Sequence, residues 1–276
     1  MTSILKNIKV VVSDLDGTLL NTEHRISDYT KSIFQELHNQ NYLIVVATGR
    51  HHLDAMAIIE KLEVPVYLVS SNGARIHSPE KEELFSFNLD SDVVKAALNV
   101  EIDPEITVVL FKENVWQTNK VSEKLNAFQE KLNYRPELVD YKKLEDFGAI
   151  KIFFSCDNHE KLVKLKDAIL ENSSEHLHHA FSLPTCLEFM DKAIDKAVAI
   201  ETVLEKEGFT LEQVVSFGDG FNDVQMLSSS GKGLIMGNAP ALLKETLPDL
   251  EVIKTNAEDG VAKYISSKIL NKEFVA

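Results

Sequence analysis

The stretch that decides the reading is Lys9-Val10-Val11-Val12-Ser13-Asp14-Leu15-Asp16-Gly17-Thr18. Its short β-branched run reads as a buried strand, and the acidic, glycine-bearing turn behind it as a loop at the strand's carboxyl end. Outward from there, Ser27 has the chemistry of an N-cap for a helix over residues 27–39, with Ile33, Phe34 and Leu37 as its apolar stripe. Leu43–Ala47 is a second strand candidate ending at Thr48-Gly49-Arg50. A helix follows, and residues 66–70 form a third strand candidate ending at Asn72-Gly73. Strand and helix in alternation predict a mostly parallel sheet covered by helices. The rhythm changes near Leu84. Residues 106–111 and 115–118 flank Lys112-Glu113-Asn114 as a hairpin. Then come a helix over 121–132, a strand over 150–155, a helix over 160–170 and one or two strands within 181–189. After Lys196 the α/β rhythm returns: a helix over 197–207, a strand over 214–217 running into Gly218-Asp219-Gly220, and strand candidates at 233–237 and 251–254. The predicted organisation is an α/β core made of residues 1–83 and 188–276, interrupted by an α+β module over 84–187.

A chain of 276 residues has room for one large domain or two modest ones. With 44% hydrophobic and 26% charged residues it has the composition of a folded globular protein, which excludes a disordered chain. No apolar run approaches the ~18 residues of a membrane span, and residues 1–9 lack the apolar core of a secretory signal, so no membrane partner is expected. The net charge of −14, from 29 basic and 43 acidic residues, argues against nucleic-acid partners, which need clustered Lys and Arg. An anionic small molecule stays open, because a local site with a metal overrides the global field. Cys156 and Cys186 are too few for a disulfide framework and have no CxxC spacing, so they are read as reduced thiols of a cytoplasmic protein.

Ligands of open α/β sheets bind beyond the carboxyl ends of the strands. There the sequence places Asp14-Leu15-Asp16, Thr48-Gly49 and Gly218-Asp219-Gly220-Phe221-Asn222-Asp223; Lys196, at a helix start, is set beside them. Asp14, Asp16, Asp219 and Asp223 brought together would repel by about 4 kcal/mol per pair at 4 Å and an effective dielectric near 20. A cation must offset this. Oxygen donors without His or Cys favour a hard ion such as Mg²⁺, and Lys196 adds a fixed positive charge. Thr48, the Gly49 N–H and Asn222 are donors suited to phosphate oxygens. Metal, phosphate donors and a carboxylate nucleophile together describe phosphoryl transfer through an aspartyl-phosphate. The Asp-x-Asp spacing on an extended segment lets Asp14 attack while Asp16 moves protons, first to the leaving oxygen and then from water.

In this order the motifs resemble the haloacid dehalogenase superfamily of phosphohydrolases. Asp14-Leu15-Asp16-Gly17-Thr18-Leu19, Ala47-Thr48-Gly49-Arg50, Lys196 and Gly218-Asp219-Gly220-Phe221-Asn222-Asp223 match its four motifs. The insertion between the second and third is similar to the Cof-type branch with its α+β cap. Further marks of that branch are Ser71-Asn72-Gly73-Ala74, Leu187-Glu188, Met236-Gly237-Asn238-Ala239 and Thr255-Asn256 with Asp259-Gly260-Val261. The resemblance spans essentially the whole chain. It implies a Rossmann-like core with an inserted cap of the C2B type. It also implies Asp14 as nucleophile and Mg²⁺ ligand, and Asp16 as acid/base that ligates Mg²⁺ through its carbonyl. Asp219 and Asp223 complete the metal site, while Leu15 N–H, Thr48, Gly49, Lys196 and Asn222 hold phosphate. Ala197 departs from the glycine usual after the motif lysine.

Thr48-Gly49-Arg50-His51-His52, Ser71-Asn72-Gly73-Ala74-Arg75 and Thr185-Cys186-Leu187-Glu188 look like an enteric subgroup acting on pyridoxal phosphate or sugar phosphates. Arg50, His51, Asn72 and Glu188 are therefore the candidates for substrate specificity. The expected activity is Mg²⁺-dependent hydrolysis of small phosphate monoesters, with the insertion as a lid that reads the leaving group. A phosphomutase shares this chemistry. A phospho-receiver module also combines acidic residues, Thr and Lys, but an acid/base two residues from the phosphorylated aspartate shortens the life a switch needs. A non-catalytic phosphate-binding module fits poorly, because every group needed for turnover is in place.

Overall fold

A computed structural model describes residues 3–121, 136–173 and 175–271. The chain divides into two compact units, Met1–Ser86 with Asp195–Ala276, and Phe87–Ile194. The first is built on an eight-stranded sheet. In chain order its strands are β1 (Val10–Ser13), β2 (Leu43–Ala47), β3 (Tyr67–Ser70), β4 (Arg75–His77), β5 (Glu83–Ser86), and then β12 (Val214–Gly218), β13 (Lys232–Ile235) and β14 (Glu251–Val252). They lie side by side as β14-β13-β12-β1-β2-β3-β4-β5. All pairings from β14 to β3 are parallel, and β4 and β5 extend that edge antiparallel.

The sheet is apolar on both faces because helices cover both. The alternation shows in β1: Val11 packs with Phe34, Leu37 and Val46 in one core, and Val10 and Val12 pack with Ala199, Ile200 and Val203 in the other. After a short α1 (Ser3–Asn7), helix α2 (Asp28–Asn39) brings Phe34 and Leu37 to the first core, and α6 (Lys196–Glu207) brings Ala199 and Val203 to the second. Ser27 caps α2 as expected, its hydroxyl accepting from Thr30 N–H at 3.0 Å.

Register sets the site. Ser13 at the end of β1 pairs with Val46 of β2 and Phe217 of β12, Ala47 pairs with Val69, and Gly218 pairs with Ile235. The turns that follow these strands therefore open at one edge of the sheet. After β1 the chain builds β2 and β3 on one side and returns as β12 on the other. This places the strand-order reversal next to Asp14.

The second unit has its own six-stranded, mainly antiparallel sheet, ordered β10-β11-β9-β6-β7-β8. Its strands are β6 (Thr107–Phe111), β7 (Trp116–Thr118), β8 (Pro136–Leu138), β9 (Lys151–Ser155), β10 (Leu177–Leu183) and β11 (Cys186–Asp191). Helices α4 (Ser91–Leu98) and α5 (His159–Ser173) supply Val94, Leu98, Leu162 and Ile169 to a core with Leu110, Ile152, Phe154 and Phe189. The helix expected over 121–132 falls almost entirely outside the described residues.

The boundaries expected at 84 and 188 move. Residues 84–86 belong to β5 of the first sheet, because Phe85 pairs with Ile76 and Ser86 with Arg75. Residues 188–194 belong to the second unit, where Glu188 pairs with Phe153 and Ala180 inside its sheet. Among the described residues no helix is long and apolar enough to cross a membrane.

Candidate active site

Three turns and a helix start supply the site. Asp14 follows β1 in extended conformation, and the chain then turns at Gly17, whose φ is +72°. Only glycine fits there: a Cβ would sit 2.2 Å from Asp219 Oδ2, so the two acidic turns lie against each other. Asp219 and Asp223 belong to the turn after β12. Asp223 Oδ2 accepts the Asp219 and Gly220 N–H groups at 3.0 and 2.9 Å, which folds that turn. Lys196 opens α6, whose cap is Asp195, accepting from Val198 N–H.

Lys196 is the hinge of the electrostatics. Its side chain is 0% exposed, and Nζ donates to Asp14 Oδ1 and to Asp223 Oδ1, each at 2.6 Å. Burial pulls the ammonium's pKa down, but the Asp14 and Asp223 carboxylates override that and hold it above the ordinary lysine value. Among the described residues no ammonium or guanidinium bonds Asp219; Thr18 Oγ1 donates to its Oδ1 at 3.0 Å. Oxygen atoms of Asp14, Asp219 and Asp223 all lie within 4.8 Å of one another. Burial, the largest influence, drives both Asp14 and Asp219 well above the ordinary carboxylate range. Three carboxylates facing one ammonium leave two negative charges unbalanced when all are ionised. A divalent, oxygen-seeking cation fits that donor set, and His and Cys are absent from it.

Asp16, expected beside Asp14 in the reacting centre, has its carboxylate held by Arg50. Arg50 Nε and Nη2 donate to its two oxygens at 2.6 Å each, and Arg50 Nη1 donates to Asp54 at 2.7 Å. His24 Nδ1 lies 3.7 Å from Asp16 Oδ1. The carboxylate is 43% exposed. Arg50, expected as a substrate contact, has its fork on two carboxylates of the chain itself. Asp54 lies in the first turn of α3 (His52–Ile59), and Arg50 just before that helix reaches it.

The phosphate-donor candidates gather at the next strand ends. Thr48 is buried and its Oγ1 accepts from Arg50 N–H at 3.1 Å. Asn222 Nδ2 donates to Asn72 Oδ1 at 2.9 Å, and Asn72 N–H donates to Thr48 O at 2.9 Å. Ser71 and Asn72 both have positive φ, 49° and 55°, a costly pair of conformations of the kind that collects at functional sites. A Cβ on Gly49 would meet Asn72 Oδ1 at 3.1 Å, so these segments pack closely. His51 is buried, and its Nδ1 accepts from Leu53 N–H at 3.3 Å, capping α3. Glu188 lies in the second unit, ion-paired with Lys151 at 2.8 Å, and both side chains are largely buried. The sequence marked Asn238 and Asn256 only as motif residues without a role; Asn238 Nδ2 donates to Gly17 O and Asn256 Nδ2 to Leu20 O, each at 2.8 Å.

The haloacid dehalogenase-like hydrolase profile matches residues 11–265. The chain belongs to this family. A relative from Buchnera aphidicola is 36% identical over 95% of this haloacid dehalogenase-like hydrolase and 99% of its own chain. A relative from Cronobacter sakazakii named HMP-PP phosphatase is 33% identical, over 92% and 93% of the two chains. Among solved structures, a haloacid dehalogenase-like hydrolase from Bacteroides thetaiotaomicron superposes with a TM-score of 0.80 at 27% identity, covering 94% of this chain and 98% of that one. The fold is thus the Rossmann-like core of the haloacid dehalogenase-like hydrolases, and the protein is an enzyme of that class.

Proposed function

We propose that the protein is a Mg²⁺-dependent phosphatase that hydrolyses small phosphate monoesters through an aspartyl-phosphate on Asp14. The observation that carries this is the buried Lys196 bridging Asp14 and Asp223, with the otherwise uncompensated Asp219 beside them. That arrangement combines a nucleophile, its fixed counter-charge and a surplus of negative charge for a divalent ion. Asp14, Asp219 and Asp223 would hold Mg²⁺, with the Asp16 carbonyl, and the ion supplies charge neutralisation for a dianionic ester.

The chain's own residues do the rest. Lys196 occupies Asp14 Oδ1, which leaves Oδ2 to attack phosphorus. As the P–O bond to the leaving group breaks, Asp16 gives that oxygen a proton. The same residue then takes a proton from the water that attacks the aspartyl-phosphate. Inorganic phosphate departs and the Asp14 carboxylate returns. Thr48, Gly49, Asn222 and the Leu15 N–H hold the phosphoryl oxygens. Such fixed donors do most of the work in phosphoryl transfer.

The leaving group is a small metabolite, and pyridoxal phosphate and sugar phosphates are the first candidates. The relative named HMP-PP phosphatase adds that ester to them. Phosphate release from these esters, nucleotides and p-nitrophenyl phosphate, with Mg²⁺ and then EDTA, tests the reading. Metal-dependent release with one ester favoured in kcat/KM is expected, and Asp14→Asn abolishes it while leaving the fold intact. Failure of the folded protein to release phosphate from any ester, or near-normal turnover by Asp14→Asn with deamidation excluded, contradicts it.

A further inference from the structure

The loops after β13 and β14 carry Met236-Gly237-Asn238-Ala239 and Thr255-Asn256, motifs with no part in the chemistry above. In the structure they converge on the acidic turns. Asn238 Nδ2 donates to Gly17 O at 2.8 Å and to Asp219 Oδ2 at 3.3 Å. Its Oδ1 accepts from the backbone N–H of Asn256 at 3.0 Å, and Asn256 Nδ2 donates to Leu20 O at 2.8 Å. The backbone donor decides the orientation of the amide: with Oδ1 on Asn256 N–H, the NH₂ must face Gly17 and Asp219. One side chain therefore ties together the turn that carries Asp16, the carboxylate of Asp219 and the loop after β14.

Asp219 differs from its two neighbours in how it is held. Asp14 and Asp223 share the Lys196 ammonium. Asp219 takes Thr18 Oγ1 on one oxygen and Asn238 Nδ2 on the other. Both are uncharged donors, so they aim the carboxylate without cancelling its charge. The Gly17 turn packs against the same oxygens, so a small tilt of the carboxylate is resisted on one side by backbone and on the other by Asn238.

We propose that Asn238 is a positioning residue for the cation site, fixing the Asp219 carboxylate toward the point it shares with Asp14 and Asp223. This rests on Asp219 being a metal ligand. Groups that orient ligating carboxylates typically change metal affinity by about tenfold or more when removed. A residue that merely stitched loops together would instead show its loss in stability.

The test uses Mn²⁺ as the probe, titrated into the full chain and read from the electron paramagnetic resonance signal of the free ion, without substrate. Asn238→Ala is expected to raise the Mn²⁺ dissociation constant about tenfold. Its Tm in EDTA is expected to stay within about 2 °C of wild type, as for other surface changes. The Mg²⁺ concentration for half-maximal phosphate release shifts by the same factor. If Asn238→Ala does not fold, Asn238→Gln keeps the amide but displaces it, and the same shift is expected. An unchanged dissociation constant in the folded variant overturns the role of Asn238 and leaves the proposed activity standing. A wild-type protein that binds no Mn²⁺ overturns the metal site itself.

Discussion

Asp16 has both oxygens on the guanidinium of Arg50, and Asp54 anchors that guanidinium from the other side. Both oxygens are occupied in this arrangement, so one must leave the guanidinium before Asp16 can exchange a proton with ester or water. Asp16→Asn is expected to lower turnover of an alkyl phosphate by about 10²–10⁴, the usual worth of general acid–base catalysis. Arg50→Ala acts only through Asp16, so its loss is smaller, about tenfold. It falls mainly on alkyl esters, because p-nitrophenolate leaves without a proton. The ratio of kcat values for the two esters checks this. Equal losses on both would mean that Arg50 only supports the fold. The partners of the Arg50 fork were not legible from the residues read singly. Arginine beside a phosphate motif suggests a substrate contact, and only the structure shows two acidic side chains already filling it.

At the scale of elements, the strands that end in the acidic and glycine-bearing turns were legible because each pairs a short β-branched run with an abrupt change of chemistry. β1, β2, β3 and β12 all have that form, and so the register that gathers Asp14, Thr48 and Asp219 follows from sequence logic. β4, β5 and β8 were not legible, since Arg75–His77, Glu83–Ser86 and Pro136–Leu138 hold no β-branched run ending in a turn signal, and β4 and β5 moved the expected boundary. Glu188 was assigned to the core for a related reason: its strand, β11, has no turn signal at residue 188, and only its pairing with β9 and β10 places it. The core of the second unit depends on the apolar face of α5. Leu162 is 0% exposed there, whereas Leu138 of β8 is 63% exposed. Leu162→Ala should cost about 3 kcal/mol and move the urea midpoint down, while Leu138→Ala stays within about 0.5 kcal/mol. Similar midpoints for the two variants would contradict the packing described.

For the whole molecule, the site is a local surplus of buried negative charge in a chain that already carries −14. Burial raises Asp14 to about 8 and Asp219 to about 6 in the metal-free protein, both from an unfolded value of 3.8. Between those limits the folded chain holds more protons than the unfolded one. The contribution of these two groups to stability therefore falls as pH rises through that window. Lys196, also raised, has the same sign in a window far higher on the pH scale. Its raised pKa stabilises at all pH values below that of an unfolded lysine and is lost only above it. A divalent cation competes with the protons on the two carboxylates, so the gain in Tm on adding Mg²⁺ should be larger at pH 8 than at pH 5. A gain that is equal at both, or larger at pH 5, would contradict the charge balance described. The central claim is that the phosphoryl group passes through Asp14, and the most direct measurement is to quench the enzyme with acid within milliseconds of mixing with a turning-over ester and Mg²⁺, then map phosphorylated peptides by mass spectrometry. The account predicts a transient phosphoryl group on Asp14 that is absent from Asp14→Asn; phosphate release with no phosphorylated enzyme at any time, or with the label on another residue, would contradict it.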